Sequence, residues 1–109
     1  MCGFAGFVTR AGFASAPSRK VLSAMLDRIA HRGPDAEGHW LDVEAGVALG
    51  HRRLSILDIS VAGNQPMPSP SGRYIIAFNG EIYNHLDLRT DLLAHDSSIC
   101  FTSTSDTET

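Results

Sequence analysis

The order of extended and helical segments restricts the folds open to this chain more than any other feature. Extended segments are predicted over residues 2–9, 39–41, 47–56 and 74–78, and no helical pattern separates the second from the third. Parallel neighbours would need a long crossover connection, usually a helix. The order therefore argues against a doubly wound parallel sheet and favours an α+β layered architecture. The glycine-containing segment 2–9 is expected to be a short buried strand.

Two helices are predicted from apolar residues at helical spacing. The first covers residues 19–30, with Ser18 as its N-cap. It is expected to end at the turn signal Gly33-Pro34. The second is expected to follow Asn84, which can cap it. Its apolar residues are Leu86, Leu88, Leu92 and Leu93.

The remaining segments are expected to be loops or short strands. Residues 61–72 contain three prolines and two glycines and are predicted to form a loop. A last strand is predicted over 99–102, with Cys100 as a small core residue. Ser105-Asp106-Thr107-Glu108 fits a capping box, which normally precedes an apolar helix. We therefore expect a helix beyond Thr109 and a truncated domain, with a disordered polar tail as the alternative.

Composition sets limits on the class of protein. The 109 residues suffice for one small domain, and 43% hydrophobic content can support a core. A formal net charge of −3 without a Lys/Arg run makes nucleic acid and membrane surfaces poor partners. The N-terminus lacks the basic region of a signal peptide, so a cytoplasmic location is expected. Cys2 and Cys100 should be free thiols there, and no His or Cys spacing predicts a metal site.

Cys2 is a candidate nucleophile because of its position. Removal of Met1 would leave a residue that carries both a thiol and an α-amino group with a pKa near 8. Such an amine can act as the general base for its own sulfur. A Met-Cys start is a weak signal alone, and an ordinary cysteine is the alternative.

Asn79-Gly80 is a candidate pair of donors for a developing oxyanion, through a side-chain amide and an unobstructed backbone N–H. The alternative is a hairpin turn, which Asn-Gly also favours. Of the adjacent arginines Arg52 and Arg53, either could bind a carboxylate through two parallel bonds, or could be solvated surface charge.

Two acidic residues, Glu81 and Asp106, could surround the ammonium group of an amino-acid substrate. The alternative for Asp106 is a helix cap only. No single one of these features defines a site. They occur, however, in a fixed succession along the chain.

That succession is Cys2-Gly3-Phe4-Ala5-Gly6, His31-Arg32-Gly33-Pro34-Asp35, His51-Arg52-Arg53-Leu54-Ser55-Ile56-Leu57-Asp58, Gly63-Asn64-Gln65-Pro66-Met67, Asn79-Gly80-Glu81-Ile82-Tyr83-Asn84 and Ser105-Asp106-Thr107-Glu108. It resembles the glutaminase domain of asparagine synthetases, a class II (N-terminal nucleophile) glutamine amidotransferase. Other class II members look different after the arginine and lack the Glu-Ile-Tyr-Asn continuation.

The resemblance implies that Cys2 attacks the side-chain amide of glutamine to form a γ-glutamyl thioester, while its own amino group carries protons. It implies that Asn79 and the Gly80 N–H form the oxyanion hole. The segment His31-Arg32-Gly33-Pro34-Asp35 is expected to have a mainly structural part near the site.

The resemblance also implies how glutamine would be bound. Arg53 matches the position that holds the α-carboxylate, and Glu81 and Asp106 match positions that hold the α-amino end. Asn64, with Gln65 and the proline after it, would belong to a loop lining the pocket.

For the fold, the resemblance implies part of a four-layered αββα sandwich, with residues 2–109 as the N-terminal portion of a type 2 glutamine amidotransferase domain. ATP and Mg²⁺ would serve a C-terminal synthetase domain that converts aspartate to asparagine and is absent here. No cofactor is expected in this chain. The alternatives are a non-catalytic truncated fragment, or an amidotransferase of a related synthetase acting on another carboxylate.

Overall fold

Three antiparallel strands form the main sheet of the protein. The structure is a computed structural model and describes residues 2–55 and 60–109. The strands are β1 (Gly3–Val8), β2 (Ala36–Asp42) and β3 (Val47–Arg53), in the order β1-β3-β2. A tight turn joins β2 to β3, and its Gly46 has φ +71°, a conformation that favours glycine. Because every pairing in the described residues is antiparallel, the predicted α+β class is confirmed.

One long helix covers a face of this sheet. Helix α1 (Ser15–Arg28) packs on all three strands. Leu22 and Leu26 are fully buried against Ala48 of β3 and form the core. Each such leucine contributes about 1.5–3 kcal/mol through burial of apolar surface. The partly buried residues around them are Ala5, Phe7, Phe13, Ile29 and Leu41.

The start of α1 and the burial of β1 differ from the sequence prediction. Ala14, not Ser18, precedes the helix, and Ser18 lies buried within the first turn. The helix extends upstream because Pro17 is tolerated in a first turn, where apolar periodicity gives no signal. Strand β1 lies at the edge of the sheet, with Phe4 53% and Val8 75% exposed, so the buried-strand prediction is wrong for one face.

A second, two-stranded sheet follows. Strand β4 (Met67–Pro68) pairs with β5 (Ile75–Ile76), and a short 3-10 helix covers Val61–Gly63. The predicted loop over 61–72 therefore contains two short elements, and the strand predicted over 74–78 is reduced to two residues. Proline lacks a backbone donor and limits how far such a ladder can extend. Residue 56, the end of the strand predicted over 47–56, lies outside the described residues.

Helix α2 (His85–His95) follows Asn84 as predicted, but the Asn84 side chain makes no capping hydrogen bond. The helix buries none of its residues, and its leucines are between 37% and 67% exposed. The strand predicted over 99–102 is absent from the described chain, and Cys100 is exposed, so both predictions are wrong. Periodicity identifies an apolar face but does not show whether another element covers it.

The segment at the end of the chain begins a helical turn, as predicted. Ser105 Oγ accepts the Thr107 N–H at 3.3 Å, ahead of a 3-10 helix over Asp106–Glu108. The second half of the capping box differs. The Ser105 N–H donates to Ser103 Oγ at 3.2 Å, while the Glu108 carboxylate binds residues 102–103.

Candidate active site

The carboxyl end of β3, the start of β1 and three further segments (residues 63–65, 78–83 and 105–107) surround a cavity of about 300 Å³. Six of the seven residues proposed from sequence line it. They are Cys2, Arg53, Asn79, Gly80, Glu81 and Asp106. These residues lie up to 104 positions apart in sequence. Chain folding thus brings the candidate nucleophile, the pair Asn79-Gly80 (the amide corner) and the candidate binding residues to one cavity.

Cys2 immediately precedes β1, whose first residue pairs with Arg52 of β3. This register places Cys2 beside the segment that leaves β3. Its half-buried thiol accepts the Leu54 N–H at 3.3 Å and lies 3.5 Å from the Leu54 carbonyl oxygen. The sulfur is therefore fixed by backbone of β3's continuation while it faces the cavity.

The backbone carbonyl of Cys2 is bound by two side chains. Arg32 Nε donates to it at 3.1 Å. The partners of the Asn79 amide assign its orientation, because only one orientation faces its NH₂ to the Cys2 carbonyl, to which it then donates at 2.9 Å. The Asn79 carbonyl in turn accepts from Arg32 Nη2 at 3.2 Å. An amide NH₂ has two donors, so one can bind Cys2 and the other an oxygen in the cavity. From sequence, Arg32 is expected to have a mainly structural part near the site. Its direct contact with Cys2 depends on a turn that sequence does not position.

The Phe78 peptide groups beside the amide corner are also held by side chains. His51 Nε2 lies 3.2 Å from the Phe78 carbonyl oxygen, and Gln65 Oε1 accepts the Phe78 N–H at 2.6 Å. His51 is 1% exposed, and this burial lowers its pKa, although its bond to Phe78 opposes the shift; the charge of Arg53 lowers the pKa further. The neutral imidazole therefore donates from Nε2 to the carbonyl. Sequence could have suggested His51, since the period of two on a strand places it on the same face as Arg53.

Arg53 ends β3 and is 7% exposed. Its Nη1 donates to the Ser60 carbonyl at 2.6 Å and to Asn64 Oδ1 at 2.7 Å. Asn64 itself is exposed and is not among the residues that line the cavity in the described chain. Its contact with the substrate pocket thus runs through Arg53.

The opposite charge is supplied by Asp106, which is also 7% exposed. Its Oδ2 accepts the Ile82 N–H at 2.8 Å, which brings Glu81 and Asp106 to the same wall. Glu81 is the exposed member of this pair. The cavity is thus lined by a guanidinium and a carboxylate, whose charges are opposite to the two charges of a zwitterionic amino acid.

An α+β domain with a cysteine beside an amide corner and two buried, opposite charges has the groups that a cysteine amidohydrolase acting on an amino acid would need. The family comparison narrows this class. A family model described as "Glutamine amidotransferase domain" matches residues 1–109, and the chain belongs to this family.

Curated relatives agree with this membership. The chain is 41% identical over 109 residues to Asparagine synthetase [glutamine-hydrolyzing] 1 of Bacillus subtilis, covering 99% of this chain and 16% of that protein. It is 43% identical over 93 residues to Amidase chry2 of Gibberella zeae, covering 78% of this chain and 14% of the relative. A putative asparagine synthetase of Mycobacterium bovis is 37% identical over 110 residues, which covers 91% of this chain and 17% of the relative.

The chain thus spans about a sixth of the length of these relatives. The resemblance to the glutaminase domain of asparagine synthetases is confirmed. Among the described residues, neither helix has the length and apolar character needed to cross a bilayer.

Proposed function

We propose that this domain hydrolyses the side-chain amide of glutamine to glutamate and ammonia, with Cys2 as the nucleophile after removal of Met1. The observation that carries the proposal is the single cavity that gathers Cys2, the Asn79-Gly80 corner, Arg53 and Asp106. Membership of the glutamine amidotransferase family supports glutamine as the amide donor.

The proposed reaction has two halves. In the first, Cys2 Sγ adds to the amide carbon, and the thiol proton passes to the Cys2 α-amino group. That group protonates the leaving nitrogen, the carbon–nitrogen bond breaks, and ammonia and a γ-glutamyl thioester form. In the second, water adds to the thioester, its proton passes by way of the same amine to the departing sulfur, and glutamate leaves.

The oxyanion formed in each half would be stabilised by two donors. One is the second N–H of the Asn79 amide, whose first donates to the Cys2 carbonyl at 2.9 Å. The other is the Gly80 N–H. Donors aimed at this oxygen are typically worth about 3–4 kcal/mol each in the transition state. The bond from Asn79 to Cys2 supports this assignment, because it ties one donor to the nucleophilic residue.

Substrate binding would use the buried charges. Arg53 would bind the α-carboxylate, with its guanidinium oriented by Asn64 and Ser60. Asp106 would bind the α-ammonium, and the exposed Glu81 would approach it from the cavity mouth. In this arrangement the guanidinium of the site faces the carboxylate of glutamine, and the carboxylate of the site faces its ammonium group.

For the complete protein we propose a glutamine-hydrolysing asparagine synthetase, as the names of the B. subtilis and M. bovis relatives suggest. We assign ATP and Mg²⁺ to a separate synthetase domain of the complete protein, since the relatives are much longer than this chain. We assign the four-layered αββα sandwich to the complete amidotransferase domain. A second candidate is a synthetase with another carboxylate acceptor, since one relative, Amidase chry2, has a name other than asparagine synthetase.

The proposal can be tested on the complete gene product by measuring glutamate and ammonia released from glutamine. Cys2→Ala should reduce the release by about 10³-fold or more, since the nucleophile is lost. Cys100→Ser is the matched control and should leave the rate unchanged, because Cys100 is exposed and outside the cavity lining. Mass spectrometry should find Met1 removed, and an electrophilic glutamine analogue should label Cys2 alone. Equal rates for wild type and Cys2→Ala, or binding of glutamine without turnover, would favour the non-catalytic alternative.

A further inference from the structure

Gln65 connects two segments that line the cavity through one side chain, in addition to the bond between Asp106 and the Ile82 N–H. Its Oε1 accepts the Phe78 N–H at 2.6 Å, and its Nε2 donates to Thr107 Oγ1 at 3.0 Å. Phe78 is joined directly to Asn79, and Thr107 is joined directly to Asp106. The amide therefore bridges the corner proposed to receive the reacting carbonyl and the carboxylate proposed to receive the ammonium group.

The chemistry of these partners fixes the orientation of the bridge. A backbone N–H can only donate, so the oxygen of the Gln65 amide must face Phe78. Its NH₂ group must then face Thr107, whose hydroxyl oxygen accepts. With the side chain 8% exposed, reversing the amide would leave two buried donors facing each other at Phe78. The bridge consequently has one stable arrangement.

The backbone of Gln65 is held just as closely. A Cβ added at Gly38 of β2 would lie 1.9 Å from the Gln65 carbonyl oxygen, so only glycine allows this approach. The loop that carries Gln65 thus rests directly on the main sheet. A side chain anchored there acts as a spacer of fixed length between the two segments.

We propose that Gln65 is a positioning residue that sets the distance from the Asn79-Gly80 corner to Asp106, and through it the length of amino acid the site accepts. The inference rests on the proposed function. Glutamine and asparagine differ by one methylene between the amide and the α-carbon, so a fixed span between the segments discriminates between them. One methylene is worth about 10–200-fold in a well-shaped site.

The test compares kcat/KM for glutamine and asparagine in the complete gene product. Gln65→Met keeps the length of the side chain and removes both bonds, and should lower the glutamine-to-asparagine ratio by about tenfold. Thr107→Val removes only the bond to the Asp106 wall and should lower the ratio similarly. Thr107→Ser keeps the hydroxyl and should retain the wild-type ratio. The double variant Gln65→Met/Thr107→Val should have a ratio no lower than that of Gln65→Met, because both changes break the same bridge.

If Gln65 only stabilised the fold, its loss would lower activity toward both substrates and leave their ratio unchanged. Leu26→Ala destabilises the core at a residue that does not line the cavity, and should lower activity toward both substrates equally, with the ratio unchanged. The inhibition constants of glutamate and aspartate give a second ratio that requires no turnover. Unchanged glutamine-to-asparagine ratios in both Gln65→Met and Thr107→Val would overturn the proposal that Gln65 is a spacer, even with Cys2-dependent glutamine hydrolysis intact. Loss of Cys2 dependence would instead overturn the proposed function.

Discussion

The Glu108 carboxylate offers a quantitative test of how the wall that carries Asp106 is held in place. It accepts bonds from the N–H and hydroxyl groups of Thr102 at 2.7 and 2.8 Å, and from those of Ser103 at 2.7 and 2.6 Å. Its side chain is 10% exposed, and Arg89 Nη2 lies 3.7 Å away. Burial alone would raise the pKa of Glu108, but the bonds from Ser103 and Thr102 outweigh it and hold the pKa below 4.5.

Glu108→Gln removes the charge and converts one acceptor oxygen into a donor. The new NH₂ group must face both the backbone N–H and the hydroxyl of Ser103, or those of Thr102. The hydroxyl oxygen can accept from it, but the backbone N–H cannot and loses its acceptor. An unsatisfied buried donor costs about 1–3 kcal/mol, and hydrogen bonds to charged groups are worth about 1.5–3 kcal/mol. Because these losses overlap, we expect the free energy of unfolding to fall by about 2–3 kcal/mol at pH 7.

Urea denaturation from pH 7 to pH 3 measures both the loss and its origin. The folded-state pKa lies below the unfolded value, so the unfolded chain binds the proton first. The stabilisation is therefore complete above about pH 4.5 and is lost as the pH falls through the folded-state pKa. The Glu108→Gln difference should shrink over that window. Glu44→Gln, at an exposed turn position, should stay within about 0.5 kcal/mol of wild type. A Glu108→Gln variant as stable as Glu44→Gln at pH 7 would refute the reasoning.

Two further predictions concern the core and a buried histidine. Leu26→Ala removes a fully buried side chain and should lower the free energy of unfolding by about 2–5 kcal/mol in urea titrations. Leu86→Ala, at a position 67% exposed, should change it by less than about 0.5 kcal/mol, and equal losses would contradict the assigned core. For His51, burial lowers the pKa below 6.5, so the unfolded chain protonates first and stability should decline as the pH falls below that value. His51→Gln should flatten this part of the stability–pH curve, and an unchanged slope would exclude His51 as its source.

Local signals in the sequence are sufficient to predict the strands and helices that lie next to a strong chain break such as Gly-Pro. A 3-10 helix over Ala30–Arg32 and the pair Gly33-Pro34 separate α1 from β2, and a Cβ at Gly33 would approach the Arg52 carbonyl within 2.4 Å. A glycine required by such close backbone contact coincides with the break that the sequence predicts. The α+β class followed from the same reasoning, since it needs only the order of elements.

Contacts between distant segments could not be predicted in this way. The strand expected over 99–102 depended on local β-propensity, which takes effect only when a partner strand is available. No such partner is present among the described residues, and Cys100 is exposed. The bridging contacts of Gln65 involve residues 13 and 42 positions away, and no periodicity carries that information. The sequence could therefore place Gln65 on the pocket loop without showing what it holds.

Some residues of the candidate site are held by the strand ladder and others by individual side-chain bonds. These two groups should respond differently to denaturant. Arg53 belongs to the central strand, whose backbone is bonded on both sides by β1 and β2. Asn79 and Asp106 lie outside the strands. Individual side-chain bonds hold their segments, among them those of Arg32 to Asn79 and of Gln65 to the neighbouring residues Phe78 and Thr107. Breaking a ladder requires many bonds to open together, whereas a segment held by separate side-chain bonds can open locally at lower cost. Mild denaturant should thus displace the Asn79-Gly80 corner and the segment that carries Asp106 before it displaces Arg53. Catalysis should then be lost while the main sheet is still folded.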